Sequence, residues 1–243
     1  MVTVNEIAAD VYRLSVYVPQ IDFQFNHFLV KDEEPLLYHT GYRRAFAELK
    51  EAVQSILDPA KIRWIGFSHF ESDECGALNQ WLEQAPHAQA ICGAVGAMVN
   101  MPDYAIRPAR SMNDGEVLTT GKHRFRHCST AHLPHGWDAG LLFEETDRTL
   151  FCSDLFAHNG DVSPLIDSDI AGLYRTRAIK NEEGPLANSI PYTPLTGRIL
   201  EGLSALKPKT LATMHGSSFA GDGAQELRKL DTVLREIFGG KPS

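Results

Sequence analysis

Along the first third of the chain, apolar and polar positions fall into short runs with the length of strands. Residues 11–18, 25–31 and 35–39 read as strands, and Gly41 marks the turn that follows. The period then changes. Over residues 43–57, Phe46, Leu49, Val53, Ile56 and Leu57 share one face of an amphipathic helix, which Asp58-Pro59 ends. Residues 62–68 are nearly continuous in apolar side chains, the pattern of a strand covered on both faces. Residues 76–83 and 94–100 read as short helices, and 88–92 as a strand between them. Residues 116–119, 124–128, 140–144 and 149–153 read as further strands, the last two joined by a hairpin-like turn at 145–148. Residues 159–192 are polar, irregular and rich in Asp, Gly and Pro, which predicts a long loop or lid carrying a helix. Thr193-Pro194 reads as an N-cap followed by Pro at the first helical position. Residues 211–214 form a strand pattern, and 224–238 a closing helix stopped by Gly239-Gly240. Strands interleaved with helices, with several hairpins among them, predict an α/β chain of mixed sheets covered by helices.

Composition narrows the function classes. Apolar residues make up 43% of the 243, enough for a large core in one domain spanning 1–243. A net charge of −8 argues against nucleic acid as a partner, because phosphate binding needs clustered Lys and Arg. No apolar run approaches the length of a spanning helix, about 18 residues, so no membrane partner is expected. Nothing in the first ten residues reads as an export signal, and Cys75, Cys92, Cys128 and Cys152 form no Cys-x-x-Cys pair. The expectation is a cytoplasmic chain with reduced thiols.

The chemistry concentrates at strand ends. His69, Glu71 and Asp73 follow the buried strand at alternate positions, so a tightly turned segment can offer one imidazole and two carboxylates to one small volume. His132 follows the strand ending near Cys128, Asp154 caps 149–153, and His215 caps 211–214. Any one of these alone reads as an ordinary cap or loop residue. Four strand ends that each finish in a His or an acid read as a metal site, at the carboxyl ends where sites in α/β folds collect.

The run His69-x-Glu71-x-Asp73, followed by His132, Asp154 and His215, resembles the metallo-β-lactamase superfamily. More narrowly, it is similar to the diiron branch that includes flavodiiron proteins and stand-alone oxygen-binding diiron proteins. The resemblance extends from the segment Asn26-His27-Phe28-Leu29-Val30 to His215. It implies an αββα sandwich of two mixed sheets flanked by helices. It also implies that His69, Glu71 and His132 bind one metal, that Asp73 and His215 bind the other, and that Asp154 bridges them. Zinc hydrolases of the superfamily usually carry His where Glu71 stands. A carboxylate there makes the site harder and more anionic, which favours two iron ions, with manganese or zinc as alternatives. Many members have His directly after the motif's Asp; here it is Glu74, read as a ligand, as a holder of a metal-bound water, or as a residue that is solvated or stands behind the ligands.

Other residues carry open readings. His27 is either a neighbour of the metal pocket or a half-buried strand histidine. His135 supports the ligands or joins them. His127 reads as structural, and His158 as lining the entrance. Cys75 reads as a buried thiol. Tyr174, Tyr192 and Trp137 cover the site or simply pack.

The implied function is a non-haem diiron protein that binds dioxygen and reduces it, or a related species such as peroxide or nitric oxide. It would act as a sensor or carrier, or as a reductase. No Gly-rich phosphate loop opening a helix occurs in these residues, so the expected source of electrons is a partner protein. The resemblance also suggests a homodimer. The rival reading is a dinuclear zinc hydrolase of thioesters, lactones or phosphodiesters, in which the metals activate water.

Overall fold

Period-two alternation sets the architecture that the computed structural model shows for residues 2–240. The first sheet runs in the order β1 (Val2–Ala8), β2 (Val11–Val18), β3 (Phe23–Val30), β4 (Leu36–Tyr38), β5 (Trp64–Gly66), β6 (Gln89–Gly93) and β7 (Arg110–Met112). It is antiparallel as far as β4 and parallel from there on. The second sheet runs β12 (Leu165–Ile166), β14 (Ser218–Ala220), β13 (Thr210–Thr213), β11 (Thr149–Ser153), β10 (Gly140–Glu144), β9 (Arg124–Ser129) and β8 (Val117–Thr119). There β11 and β13 are parallel, while β8 to β11 form an antiparallel meander.

Each strand sorts its side chains between two cores. In β3 and β4, Phe28, Val30, Leu36 and Tyr38 point to the gap between the sheets, where they meet Leu142, Phe151 and Ala212 of the second sheet. Leu29 and Leu37 point the other way, toward Leu49 and Val53 of α1 (Phe46–Gln54), with Trp81 and Leu82 of α3 (Leu78–Gln84) in the same cluster. Leu141, Phe143, Leu150 and Leu211 face a third cluster, built on α6 (Ile170–Asn181), α7 (Thr196–Ala205) and α8 (Gly223–Phe238). Helices, sheet, sheet and helices are thus four layers, as the αββα expectation has it. The first sheet also carries the short helices α2 (Ser72–Cys75), α4 (Ala94–Val99) and α5 (Met101–Tyr104) in its crossovers.

Several boundaries differ from the sequence reading, for local reasons. Residues 43–45 form a 3₁₀ turn before α1, and α1 ends at Gln54, where the Ser55 hydroxyl bonds back to the Ala52 carbonyl at 2.6 Å. Thr193 does not cap α7. Its hydroxyl accepts from Leu195 N–H in a turn one step earlier, and the helix begins at Thr196. Strands β1, β7, β12 and β14 were not foreseen. The last three span two or three residues, too short for a periodic signal, and β1 is an edge strand with one buried residue, Ile7. All four cysteines are free. Among the described residues, no helix is long and apolar enough to cross a membrane.

Candidate metal centre

Six acidic and imidazole side chains gather at one rim of the sandwich, on loops that leave both sheets. The segment after β5 turns sharply, with Glu71 N–H bonded to the His69 carbonyl at 3.0 Å. Glu71 is extended (φ −131°, ψ 155°), and α2 starts immediately after it. The alternation expected of His69, Glu71 and Asp73 is therefore produced by one extended residue leading into a single helical turn. From the second sheet come His135 in the β9–β10 loop, Asp154 after β11 and His215 after β13.

The distances divide these side chains into two groups that share Asp154. Glu71 Oε2 lies 3.4 Å from His69 Nε2, and Glu71 Oε1 lies 3.0 Å from His135 Nε2. Asp154 Oδ2 completes that group, 3.7 Å from His69 Nε2 and 3.4 Å from His135 Nε2. His69, Glu71, His135 and Asp154 each present an atom within 4.8 Å of the others, a spacing that could hold a metal ion. The second group is His215 Nε2, which lies 3.0 Å from Asp154 Oδ1 and 3.6 Å from Asp73 Oδ2. One oxygen of Asp154 thus turns to each group.

His132 is not part of this arrangement, which corrects the sequence reading. It is exposed, sits at φ 66°, and uses its N–H to bond the Gly136 carbonyl at 2.7 Å. Strand alternation does not persist through this turn. Leu133 goes into the core, and His135 stands where His132 was expected. Of the readings of Glu74, the place behind the ligands is the one the structure shows: it is fully buried, neither solvated nor among the cluster atoms. Its carboxylate accepts from Ser68 N–H and His69 N–H (both 2.8 Å), and from the hydroxyls of Ser68 (2.6 Å) and Ser153 (2.7 Å). It lies 3.3 Å from His69 Nδ1, behind the ring, where it can fix the ring's orientation.

His27 stands beneath the site. Its ring packs under the Gly41 turn (φ 80°), and burial drives its pKa down to about 3, so it is neutral. A side chain at Gly41 would meet Leu49 Cδ1 at 2.6 Å and the His27 ring at 3.0 Å. His158 is structural, with Nδ1 against the Phe156 carbonyl and Nε2 accepting from Ser217 N–H. His127 is buried against Gly93 and Gly140. Burial, with Glu74 and Asp73 nearby, pushes the Cys75 thiol far up, so it is inert rather than reactive. Tyr174 is buried in the helical core, Tyr192 bonds Asp231 and Trp137 is exposed.

The electrostatics fit cations. Burial alone would favour neutral His69, yet Glu74, Glu71 and Asp154 push its pKa up to about 10. The hydrogen bond with His135 and the His69 ring nearby pull Glu71 down to about 2. Burial, reinforced by Asp154, Glu74 and Glu71, raises Asp73. The acids thus hold positive charge on the imidazoles, and metal ions would supply that charge through the same atoms. His69 Nε2 is buried with no hydrogen-bond partner and faces the cluster. His215 Nδ1 lies 2.9 Å from the Gln24 carbonyl, an acceptor that sets the tautomer and leaves the Nε2 lone pair toward Asp154. Three imidazoles and three carboxylates in this arrangement could serve as donors to metal ions.

A cavity of about 600 Å³ opens above this floor. Phe23 stacks on His215 with ring centroids 4.4 Å apart, and Phe25 meets it edge-on at 5.2 Å. These walls, Tyr42 and Arg177 were missed from the sequence. Ser68 and Ser153 were missed too, although each stands directly before a cluster residue, Ser153 at the end of β11 and Ser68 two residues past β5, a repeated signal that could have been read.

Comparison with known proteins gives the family and the fold. Residues 23–216 match the model of the family described as ODP family beta lactamase. The chain belongs to that family. This ODP-family chain is 27% identical over 201 residues to the rubredoxin-oxygen oxidoreductase of Megalodesulfovibrio gigas, a match covering 81% of the chain and 49% of the relative. It is 24% identical over 200 residues to an anaerobic nitric oxide reductase flavorubredoxin of Salmonella arizonae, covering 79% and 40%. The chain spans about half the length, or less, of the curated relatives it matches. Among solved structures, the rubredoxin oxygen:oxidoreductase from Desulfovibrio gigas superposes with a TM-score of 0.80 at 22% identity, over 99% of this chain and 63% of that one. A mutant flavo di-iron protein from Thermotoga maritima gives 0.82 at 24%, over 96% and 61%. These likenesses establish the αββα fold for the ODP-family chain.

Proposed function

We propose that this chain is a non-haem diiron protein that binds dioxygen and passes electrons to it or to a related oxidant such as nitric oxide. The observation that carries the reading is the division of Asp154, with one oxygen toward His69 and His135 and the other toward His215. One iron would be held by His69, Glu71 and His135, the other by Asp73 and His215, with Asp154 between them. Relatives named as oxygen and nitric oxide reductases support iron over zinc, as does a carboxylate at Glu71 in an oxygen-rich set.

When bound, a pair of ferrous ions supplies electrons to a small oxidant. The protein's part is geometry and access. Gln24 and Glu74 would orient His215 and His69. Phe23 and Phe25 cover His215 and limit water there. Further electrons would arrive from a partner protein.

Purification without oxygen, elemental analysis and an optical spectrum before and after oxygen test the reading. Iron near two per chain, with a charge-transfer band appearing on exposure, is the expected result. A colourless zinc protein with esterase activity would instead establish the hydrolase.

A further inference from the structure

We propose that the cavity over the metal centre binds a small organic carboxylate, with Arg177 receiving its charged group. This goes beyond the oxygen-binding reading. A diatomic gas needs roughly the room of one water molecule, on the order of 30 Å³. The cavity holds about 600 Å³, a size typical of sites for organic molecules. Its walls include Ile21, Phe23, Phe25, Leu186 and Ile190, which suit a hydrocarbon or aromatic body, with neutral polar groups of Asn159, Asn181 and Ser189 beside them.

Among the described residues that line the cavity, Arg177 is the one Lys or Arg. It reaches from α6 over the Phe23 ring, its Cζ 4.5 Å from the centroid. Among the described residues it has no hydrogen bond and no ion pair. It is partly buried, and that burial lowers its pKa while Asp154 acts in the opposite direction. A partly desolvated guanidinium with five donors and no acceptor is a costly arrangement unless an anion completes it. The acids on the floor are within reach of His69, His135 and His215 instead. A planar fork matches a carboxylate through two parallel N–H···O bonds. The single cation and the apolar walls favour a monocarboxylate over a phosphate.

The test is calorimetric titration of the metal-loaded protein with benzoate, benzamide and inorganic phosphate. Benzoate is expected to bind saturably, and both benzamide to the parent and benzoate to Arg177→Gln about tenfold or more weakly, as loss of a charge-assisted pair implies. Arg177→Lys should fall between. Because Arg177 carries no ion pair, Arg177→Gln should melt with the parent and keep its metal content, separating lost recognition from lost folding. Equal benzoate affinity in Arg177→Gln would mean that the anion binds the metals alone and would overturn the proposal. So would benzamide or phosphate binding as tightly as benzoate, or no benzoate binding at all. None of these outcomes bears on iron content or on the response to oxygen, so the diiron reading stands or falls separately.

Discussion

Replacing Glu74 by Gln changes almost no volume and removes the acceptor that four donors share. Glu74 is fully buried, so water cannot take over. One of its oxygens accepts two backbone N–H groups at 2.8 Å, and the other accepts the Ser153 hydroxyl at 2.7 Å and lies 3.3 Å from His69 Nδ1. A Gln side chain must put its NH₂ at one of these ends. Facing the two backbone donors, it has no relief. Facing the other end, the Ser153 hydroxyl can rotate to accept, but His69 Nδ1 then meets a donor and must give up its proton. That would move the proton toward Nε2, the atom needed for a metal. Hydrogen bonds to a charged group contribute roughly 1.5–3 kcal/mol each, and the variant loses the charge from all of them while relieving repulsion with Asp154. A net destabilisation of about 2–4 kcal/mol follows, or a melting point lower by about 4–16 °C for a chain this size. Metal affinity should fall about 10–100-fold, as for other residues that orient a ligand. Thermal melts and competitive metal titrations read the two effects. A variant that melts with the parent and binds metal equally well would refute the argument that Glu74 orients His69.

Three further outcomes separate competing readings. His135→Ala should lose most metal from the group around His69, whereas His132→Ala should keep full occupancy by elemental analysis; the reverse pattern would restore the sequence assignment. Glu71→His should shift loading toward zinc in mixed-metal competition, and unchanged iron preference would count against the charge argument. At the far end of the second sheet, burial would raise Glu144, but His123 and the amides of Asp147 and Thr146 outweigh it and hold its pKa below the ordinary value. Its stabilisation is therefore present above the unfolded value of about 4.3 and lost as pH falls through the lower folded value. Glu144→Gln should melt below the parent at neutral pH, with the gap closing below about pH 4.

What the sequence made legible was whatever obeyed a period or sat next to a strand end. Strands β2, β10 and β11 have the expected boundaries because their apolar runs are long and their turns unambiguous. Asp154, at the first position past β11, was found for the same reason, and His69 because it follows the apolar run over 62–68. His132 failed because a residue at positive φ within a turn leaves the alternation that made it plausible. Glu74 stayed open between several readings because its burial depends on three partners distant in sequence or brought close by the turn: Ser153, His39 and His69. Arg177 lies in the polar stretch that was legible only as a loop with a helix, and its position over Phe23 is set by tertiary packing alone.

Each half of the centre draws on both layers of the sandwich. His69 and Glu71 leave the first sheet and meet His135 and Asp154 from the second; Asp73 leaves the first and meets Asp154 and His215 from the second. Ions seated there would act as a clasp across the seam, joining loops whose parent sheets are also held together by apolar packing and by hydrogen bonds such as Ser153 to Glu74 and Asn26 N–H to the Met214 carbonyl. Occupancy and closure of the rim are then one equilibrium, in which whatever pries the sheets apart also releases the ions, and filling the seat raises the resistance of the whole sandwich to unfolding.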